Sequence, residues 1–293
     1  MLTRRTRIGI IGAGNVGKTL AVALMHKGYP VVSTASRTFE SAKALARLSP
    51  GCVAHPDLQG AADAADFVFI TTSDDAIRPV AEAVRWREGQ TVVHCSGAAS
   101  LDVLESVQEY GAVPGGFHPL QTFSSVEEAV KALAGSTFGI EGDEETRKSL
   151  AALAEELGGT PIFLRPEDKA LYHATVVMAG GVLNTLIGAV AELWAQFGIE
   201  RNDALKAITP IMAGTAETLF KNGLPDAGAG PFVRGDVGTI RKHLDAMERQ
   251  APHLLDVYCK MALAGLHIAA EKGVAPPENI EEIRQVLTEI VER

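Results

Sequence analysis

The segment Gly12–Thr19 (Gly-Ala-Gly-Asn-Val-Gly-Lys-Thr) directly follows the apolar run Ile8–Ile11 and fits two phosphate-binding patterns at once. Gly12, Gly14 and Gly17, with Ala13, Asn15 and Val16 between them, form G-x-G-x-x-G, the dinucleotide turn. Gly12, Gly17, Lys18 and Thr19 form G-x-x-x-x-G-K-T, the loop that cradles a nucleoside triphosphate. Either pattern sets backbone N–H groups and a helix N-terminus against phosphate, because those unpaired donors and the helix dipole favour an anion. The segment therefore marks a phosphate site without naming its ligand.

The next strand separates the two. The stretch Tyr29–Ala35 runs into Ser36-Arg37-Thr38, where a dinucleotide fold that takes a free ribose 2′-hydroxyl carries a carboxylate roughly 20 residues past the motif. None stands here. Arg37 offers a fixed positive fork, and Ser36 and Thr38 add hydroxyls suited to phosphate oxygens. This predicts NADP rather than NAD. A triphosphate hydrolase would instead need an Asp closing an apolar strand to hold magnesium. The strand Phe67–Ile70 ends in Thr71-Thr72, with Asp74 and Asp75 beyond it, and no metal site is expected. Thr71, Thr72 and Ser73 then lie at the carboxyl edge where open α/β sheets bind ligands. A second reading stands beside this one: Ser73 or Asp74 caps a helix starting near Ala76.

Positioning these residues requires a sheet. Apolar runs at Arg7–Ile11, Pro30–Ser33, Phe67–Thr71, Thr91–Cys95, Ala112–Phe117, Thr137–Ile140 and Pro161–Leu164 read as strands. Helical segments such as Lys18–His26, Phe39–Leu48, Ala76–Val84 and Leu101–Tyr110 lie between several of them. That alternation predicts an α/β Rossmann fold, a doubly wound parallel sheet over residues 1–166. From Asp168 the pattern turns helical without a Pro until Phe197, with Gly198 as its stop; as one helix it would span about 45 Å. Further helices are expected near Arg201–Asn222, Asp236–Gln250, Pro252–Lys272 and Glu278–Glu292, making residues 167–293 an all-helical C-terminal domain.

Length and composition agree with this division. A chain of 293 residues exceeds the usual single core, and 46% hydrophobic against 22% charged residues describes a globular protein. The net charge of −9 argues against nucleic acid and against an anionic membrane surface. Three cysteines imply no disulfide framework and point to a reducing, cytoplasmic compartment. Ala174–Ala191 carries no charged side chain and reaches the length of a membrane span. Its Thr175, Asn184, Thr185 and glycines favour a core helix of a soluble helical domain.

The layout and several short stretches resemble the 6-phosphogluconate-dehydrogenase-like superfamily, and within it a group of NADP-dependent oxidoreductases whose helical domain has no known function. The stretches are Gly12–Gly17, His94–Ala98, Gly116–Phe123, Lys169–His173 and Gly230–Asp236. The resemblance implies a homodimer and a hydride transfer between NADPH and a carbonyl or imine carbon of a small, carboxylated metabolite. It further implies that Lys169, with a polar residue four positions on, works as general acid or base. Here the second residue is His173, on the same helix face, and either group could move the proton. His118 is a third candidate, to bind a carboxylate or donate a proton; its alternative is a structural role in a turn. Ser96 and Gly97 would contact substrate, or Ser96 or Ser100 would cap the following helix. Arg234 would anchor a substrate carboxylate, while Asp236 caps the next helix. Relatives prefer Asn where this chain has Gly181, and Asn184 is the nearest substitute. A non-catalytic NADP-binding sensor is the alternative function, and a triphosphate hydrolase the more distant one.

Overall fold

A computed structural model describes residues 2–293. The chain separates into two compact units, one closing at Val182 and the other spanning Leu183–Arg293.

The first unit is built on a sheet of eight strands: β1 (Ile8–Ile11), β2 (Val31–Ala35), β3 (Val53–Ala54), β4 (Phe67–Ile70), β5 (Thr91–His94), β6 (Val113–Leu120), β7 (Thr137–Gly142) and β8 (Thr160–Phe163). Their spatial order is β3-β2-β1-β4-β5-β6-β7-β8. The central strands are continuous apolar runs because both faces are covered. On one face Phe69, Phe117 and Phe138 form a row, with ring centroids 6.0 and 4.7 Å apart, packed with Leu20, Leu24, Leu150 and Leu153. On the other, Val68, Ile70 and Val92 pack with Ile77, Ala81 and Leu104. The connecting helices start where the sequence supplies acceptors: Thr38, Asp57, Ser125 and Asp143 each accept the backbone N–H three residues on.

Two expectations for this unit are corrected. The sheet is parallel except between β6 and β7, which pair antiparallel with Phe117 opposite Ile140 and His118 opposite Gly139. The segment Leu101–Tyr110 is a 3₁₀ turn, Leu101–Leu104, followed by one helical turn, Glu105–Gln108.

The second unit is helical: Leu183–Leu193, Arg201–Asn222, Pro231–Arg234, Val237–Gln250, Pro252–Lys272 and Pro277–Val291. Its core holds Ile240, Leu244, Cys259, Leu266, Ile283 and Leu287. It also encloses an apolar cavity of about 520 Å³ bordered by Leu193, Phe232, Val257, Met261 and Ile268.

The segment Asp168–Phe197 is not one uninterrupted helix. A π-helical turn, Met178–Val182, follows Lys169–Val177, and the run closes in a 3₁₀ turn, Trp194–Phe197, before Gly198 at φ 75°. Nor is it a core helix, as the sequence suggests. Among the described residues, Pro166–Phe197 is the one helical stretch long and apolar enough to cross a membrane, with mean hydropathy 1.8, and only 6% of its most apolar window is buried. Hydropathy reports what a side chain prefers, and an apolar surface facing a partner satisfies that preference as well as a core does.

Candidate active site

Three glycines shape the first half of the site, each differently. Gly12 has φ 111°, and a Cβ there would lie 2.7 Å from the Thr71 carbonyl carbon. A Cβ at Gly17 would collide with the Gly12 carbonyl oxygen and stand 2.6 Å from Thr71 Oγ1. A Cβ at Gly14 would point into open space, with nothing within 4 Å. This is the division of labour of a dinucleotide turn: one glycine for the turn, one leaving room for pyrophosphate, one for close helix–strand packing. Thr71 locks the arrangement by donating its hydroxyl to the Gly12 carbonyl at 2.6 Å.

Gly12 and Gly14 border a cavity of about 390 Å³ whose wall also includes Ala13, Ser36, Arg37, Thr38, Thr71, Thr72 and Ser73. Ser36 Oγ accepts a long hydrogen bond from the Ala13 N–H, 3.3 Å. Thr38 caps its helix through Ser41. The Thr72 hydroxyl is buried and has no protein partner. Arg37 is exposed and forms no ion pair among the described residues. The helix Asn15–His26 begins at Gly14, with no side chain capping its first N–H groups. Two other motif residues face elsewhere: Asn15 Nδ2 donates to the Phe123 carbonyl at 2.7 Å, and Val16 packs on the core. Ser73 holds the N-cap position of the helix Asp74–Ala83 without a side-chain hydrogen bond, and that helix starts before Ala76. Thr19 is fully buried and Lys18 half-buried, and neither borders the cavity. No group of three metal-ligating side chains occurs among the described residues.

The second half lies at the ends of β5, β6 and β7. His94, Gly116 and Glu141 are register partners across these strands, so the two side chains flank a position that has none. A Cβ on Gly116 would lie 3.2 Å from Glu141 Oε2 and 3.5 Å from His94 Nε2. Lys169, the first residue of its helix, is 1% exposed. Its ammonium stands 3.0 Å from Glu141 Oε2, with that carboxylate 2% exposed, and donates to the Ser96 carbonyl at 3.0 Å. Glu141 Oε1 has no partner, Oε2 meets only the Lys169 ammonium, and His94 Nε2 has no partner. The Ser96 hydroxyl accepts from the N–H groups of Ala98 and Ala99 at 3.1 and 2.9 Å, closing a turn; Ser100 caps nothing with its side chain.

Gly97, in that turn, is the meeting point. A Cβ there would fall 2.6 Å from His173 Cδ2 and 2.8 Å from His118 Nε2. The two imidazole centroids are 6.1 Å apart, and His118 Nδ1 is 2.9 Å from the Tyr172 hydroxyl. Lys169 and His173, four apart, thus both reach the Ser96-Gly97 turn, as their spacing implies. His118 lies within β6 and not in a turn after it. Lys169, expected to line a cleft, is buried against Glu141, while the half-buried His173 and His118 lie over Gly97.

Burial sets the electrostatics. It lowers His118 to about 4, helped by the Lys169 charge and His173. It lowers His94 to about 3, again with Lys169 adding. Burial raises the Tyr172 hydroxyl to about 12 and the Cys95 thiol to about 12, which keeps the thiol protonated. Glu141 is raised by burial against the opposing pull of Lys169. The His118 and His94 rings are therefore neutral at pH 7, and the Lys169–Glu141 ion pair lies beneath them.

In the second unit, Arg234 ends the short helix Pro231–Arg234 and is exposed, as is Asn184. Asp236 accepts from Thr239 N–H and hydroxyl at 3.0 and 2.7 Å, the capping role its position implied. Gly181 lies in the π-helical turn. Sequence reasoning missed Glu141, Tyr172 and His94 as members of the site. Tyr172 sits inside the quoted stretch Lys169–His173, but Glu141 carries no local signal.

Residues 1–119 match the family described as a Rossmann-like domain, and residues 136–264 match a domain of unknown function, DUF2520. A glycerol-3-phosphate dehydrogenase (NAD(P)+) of Geobacter sulfurreducens is 27% identical over 254 residues, 79% of this chain and 73% of that protein. Among solved structures, a Bacteroides fragilis protein provisionally described as an NADP oxidoreductase superposes with a TM-score of 0.65 at 24% identity, covering 99% of both chains. A 1-pyrroline-5-carboxylate reductase of Streptococcus pyogenes superposes at 0.63 and 17% identity, covering 97% of this chain and 100% of its own.

Proposed function

In a chain that joins a Rossmann-like domain to a DUF2520 domain, we propose an NADP-dependent oxidoreductase that moves a hydride between NADPH and a carbonyl or imine carbon of a small, carboxylated metabolite. The observation that carries this reading is the glycine cradle with Arg37 free at its rim. Gly14 leaves the room a pyrophosphate needs, and the unpaired guanidinium suits a 2′-phosphate. The burial of Thr19 away from the cavity weighs against a triphosphate–magnesium site.

The residues fit NADP as follows. Backbone N–H groups at Gly14–Val16 receive the pyrophosphate at the helix N-terminus. Ser36, Arg37 and Thr38 take the 2′-phosphate, and Thr72 offers its unpaired hydroxyl to the cofactor. When bound, NADPH supplies the hydride. At the far edge, His173 or Lys169 gives the proton that a reduced oxygen or nitrogen requires, with His118 orienting substrate over the Ser96-Gly97 turn. Arg234 and Asn184 contribute to substrate recognition, Arg234 through a substrate carboxylate.

We also assign this enzyme to the cytoplasm as a homodimer that binds neither membrane nor nucleic acid. Its three cysteines are unpaired. Ile211 and Phe220 stand 71% and 93% exposed on Arg201–Asn222, and Met178 65% exposed on the π turn, which a second copy would cover.

Equilibrium binding of NADPH, NADH and ATP–magnesium, with Arg37→Ala alongside, tests the core of this reading. NADPH should bind tightest, and the variant should hold NADPH about as weakly as NADH. Binding of ATP–magnesium alone would overturn it.

A further inference from the structure

We propose that Glu141 is a positioning residue: it holds the Lys169 ammonium on the Ser96 carbonyl, and through that bond fixes the turn on which the His118 and His173 rings rest. The inference rests on reading that histidine layer as the reacting end of the oxidoreductase.

Three observations carry it. The Lys169–Glu141 contact is 3.0 Å with both side chains at most 2% exposed. A buried ion pair of this kind is seldom the stable choice for a core, since two apolar side chains fill the same volume without losing hydration. Its arrangement is also costly in detail: Glu141 Oε1 has no partner, Oε2 meets only the Lys169 ammonium, and the facing His94 Nε2 is unpaired. Such a group persists where its charge has a task. Finally, every atom the pair controls leads to one place. Lys169 donates to the Ser96 carbonyl, Ser96 Oγ receives the N–H groups of Ala98 and Ala99, and Gly97 between them lies against both histidine rings. Gly116 keeps the space over the sheet free, so that Glu141 reaches the lysine from β7.

The charged and titratable groups facing His118 are Lys169, Tyr172 and His173 on the helix Lys169–Val177, with His94 on β5, Glu141 behind Lys169 on β7, and Asp102 acting on both of these. This geometry makes a signed prediction. Glu141→Gln leaves the Lys169 charge unbalanced, so the His118 titration midpoint, read by ring-nitrogen NMR, should fall. Lys169→Met removes that charge, and the midpoint should rise. Glu141→Asp should restore most of the wild-type value. Both charge-removing variants should also shift the backbone amide resonances of Ala98 and Ala99.

If a single variant does not fold, Glu141→Leu with Lys169→Met removes both charges together; it should fold, raise the His118 midpoint and displace the same amides. A midpoint and amides that stay at wild-type values in the folded variants would overturn the proposal. NADPH binding by the wild-type protein is measured in parallel. Its absence would defeat the functional reading, whereas unmoved histidine and amide signals would defeat the role of Glu141.

Discussion

The Tyr172 hydroxyl lies 2.9 Å from His118 Nδ1, and the two rings meet edge-on at 90°. With the phenol protonated to about 12 and the imidazole neutral to about 4, the tyrosine can donate to Nδ1. The ring proton then stands on Nε2, the nitrogen that faces Gly97. Tyr172→Phe should therefore leave a buried nitrogen unpaired and destabilise the protein by about 1–3 kcal/mol in urea unfolding. An unchanged unfolding midpoint would show that the bond contributes nothing in solution.

Two alanine substitutions within the glycine turn should differ in their effect on stability. At Gly17 the new methyl meets the Gly12 carbonyl oxygen, which is backbone and cannot step aside, so Gly17→Ala should cost about 1–3 kcal/mol of stability and lose NADPH binding. At Gly14 the methyl enters open space. Gly14→Ala should keep wild-type stability and weaken NADPH by about tenfold or more, because the cofactor needs that space. Calorimetry and titration of the two variants side by side decide the matter; equal effects on stability would refute the assignment of roles.

His94 and His118 titrate near 3 and 4 where a free imidazole has 6.5. Depressed pKa values mean that the unfolded chain binds the extra protons, so this stability is whole above about pH 6.5 and is lost as pH falls towards 4 and then 3. At about 1.4 kcal/mol per unit, the two rings together contribute on the order of several kcal/mol. Glu141 works in the opposite sense: its raised carboxyl adds stability as pH falls and offsets part of the loss. Unfolding free energies measured from pH 7 to 4 should decline, and His118→Gln should flatten the slope. A pH-independent stability over that range would contradict the burial of both rings.

The exposed apolar side chains of Arg201–Asn222 give a fourth test. Ile211→Asp with Phe220→Asp should convert a sedimenting dimer into a monomer while leaving helical content intact, since both side chains lie outside the core of their unit. A wild-type protein that sediments as a monomer without detergent would remove the homodimer from the proposed function.

What could be read from residue order was whatever is local. Gly12, Gly14 and Gly17 act within one turn, and Lys169 and His173 share a face because of helical spacing; both sets are together in the structure. The helices Arg201–Asn222 and Pro252–Lys272 end where Gly223 and Gly273 take positive φ, which composition alone signals. What depends on pairing across the chain was hidden. An apolar run has no direction, so the antiparallel β6–β7 pair could not be distinguished from a parallel one. Glu141 looks like the polar end of a strand until the sheet register brings it beside Gly116 and under Lys169. The exposed surface of Ala174–Ala191 was misread as core for a related reason: apolar residues have the same composition whether a core or a neighbouring subunit will cover them.

A Cβ at Gly17 would meet the Gly12 carbonyl oxygen first, and one at Gly12 would meet the Thr71 backbone, so the closest limits on the cradle are main chain. Substitution at either glycine can spoil such a surface but cannot retune it gradually, because the backbone it would meet does not step aside. Any drift in cofactor choice is thereby channelled to the rim at Ser36–Thr38, where the side chains border the cavity and Arg37 is exposed. If the cofactor binds as proposed, the rigid and the adjustable parts of its site are physically separate, and a descendant of this chain could exchange one cofactor for another by changing a single short loop.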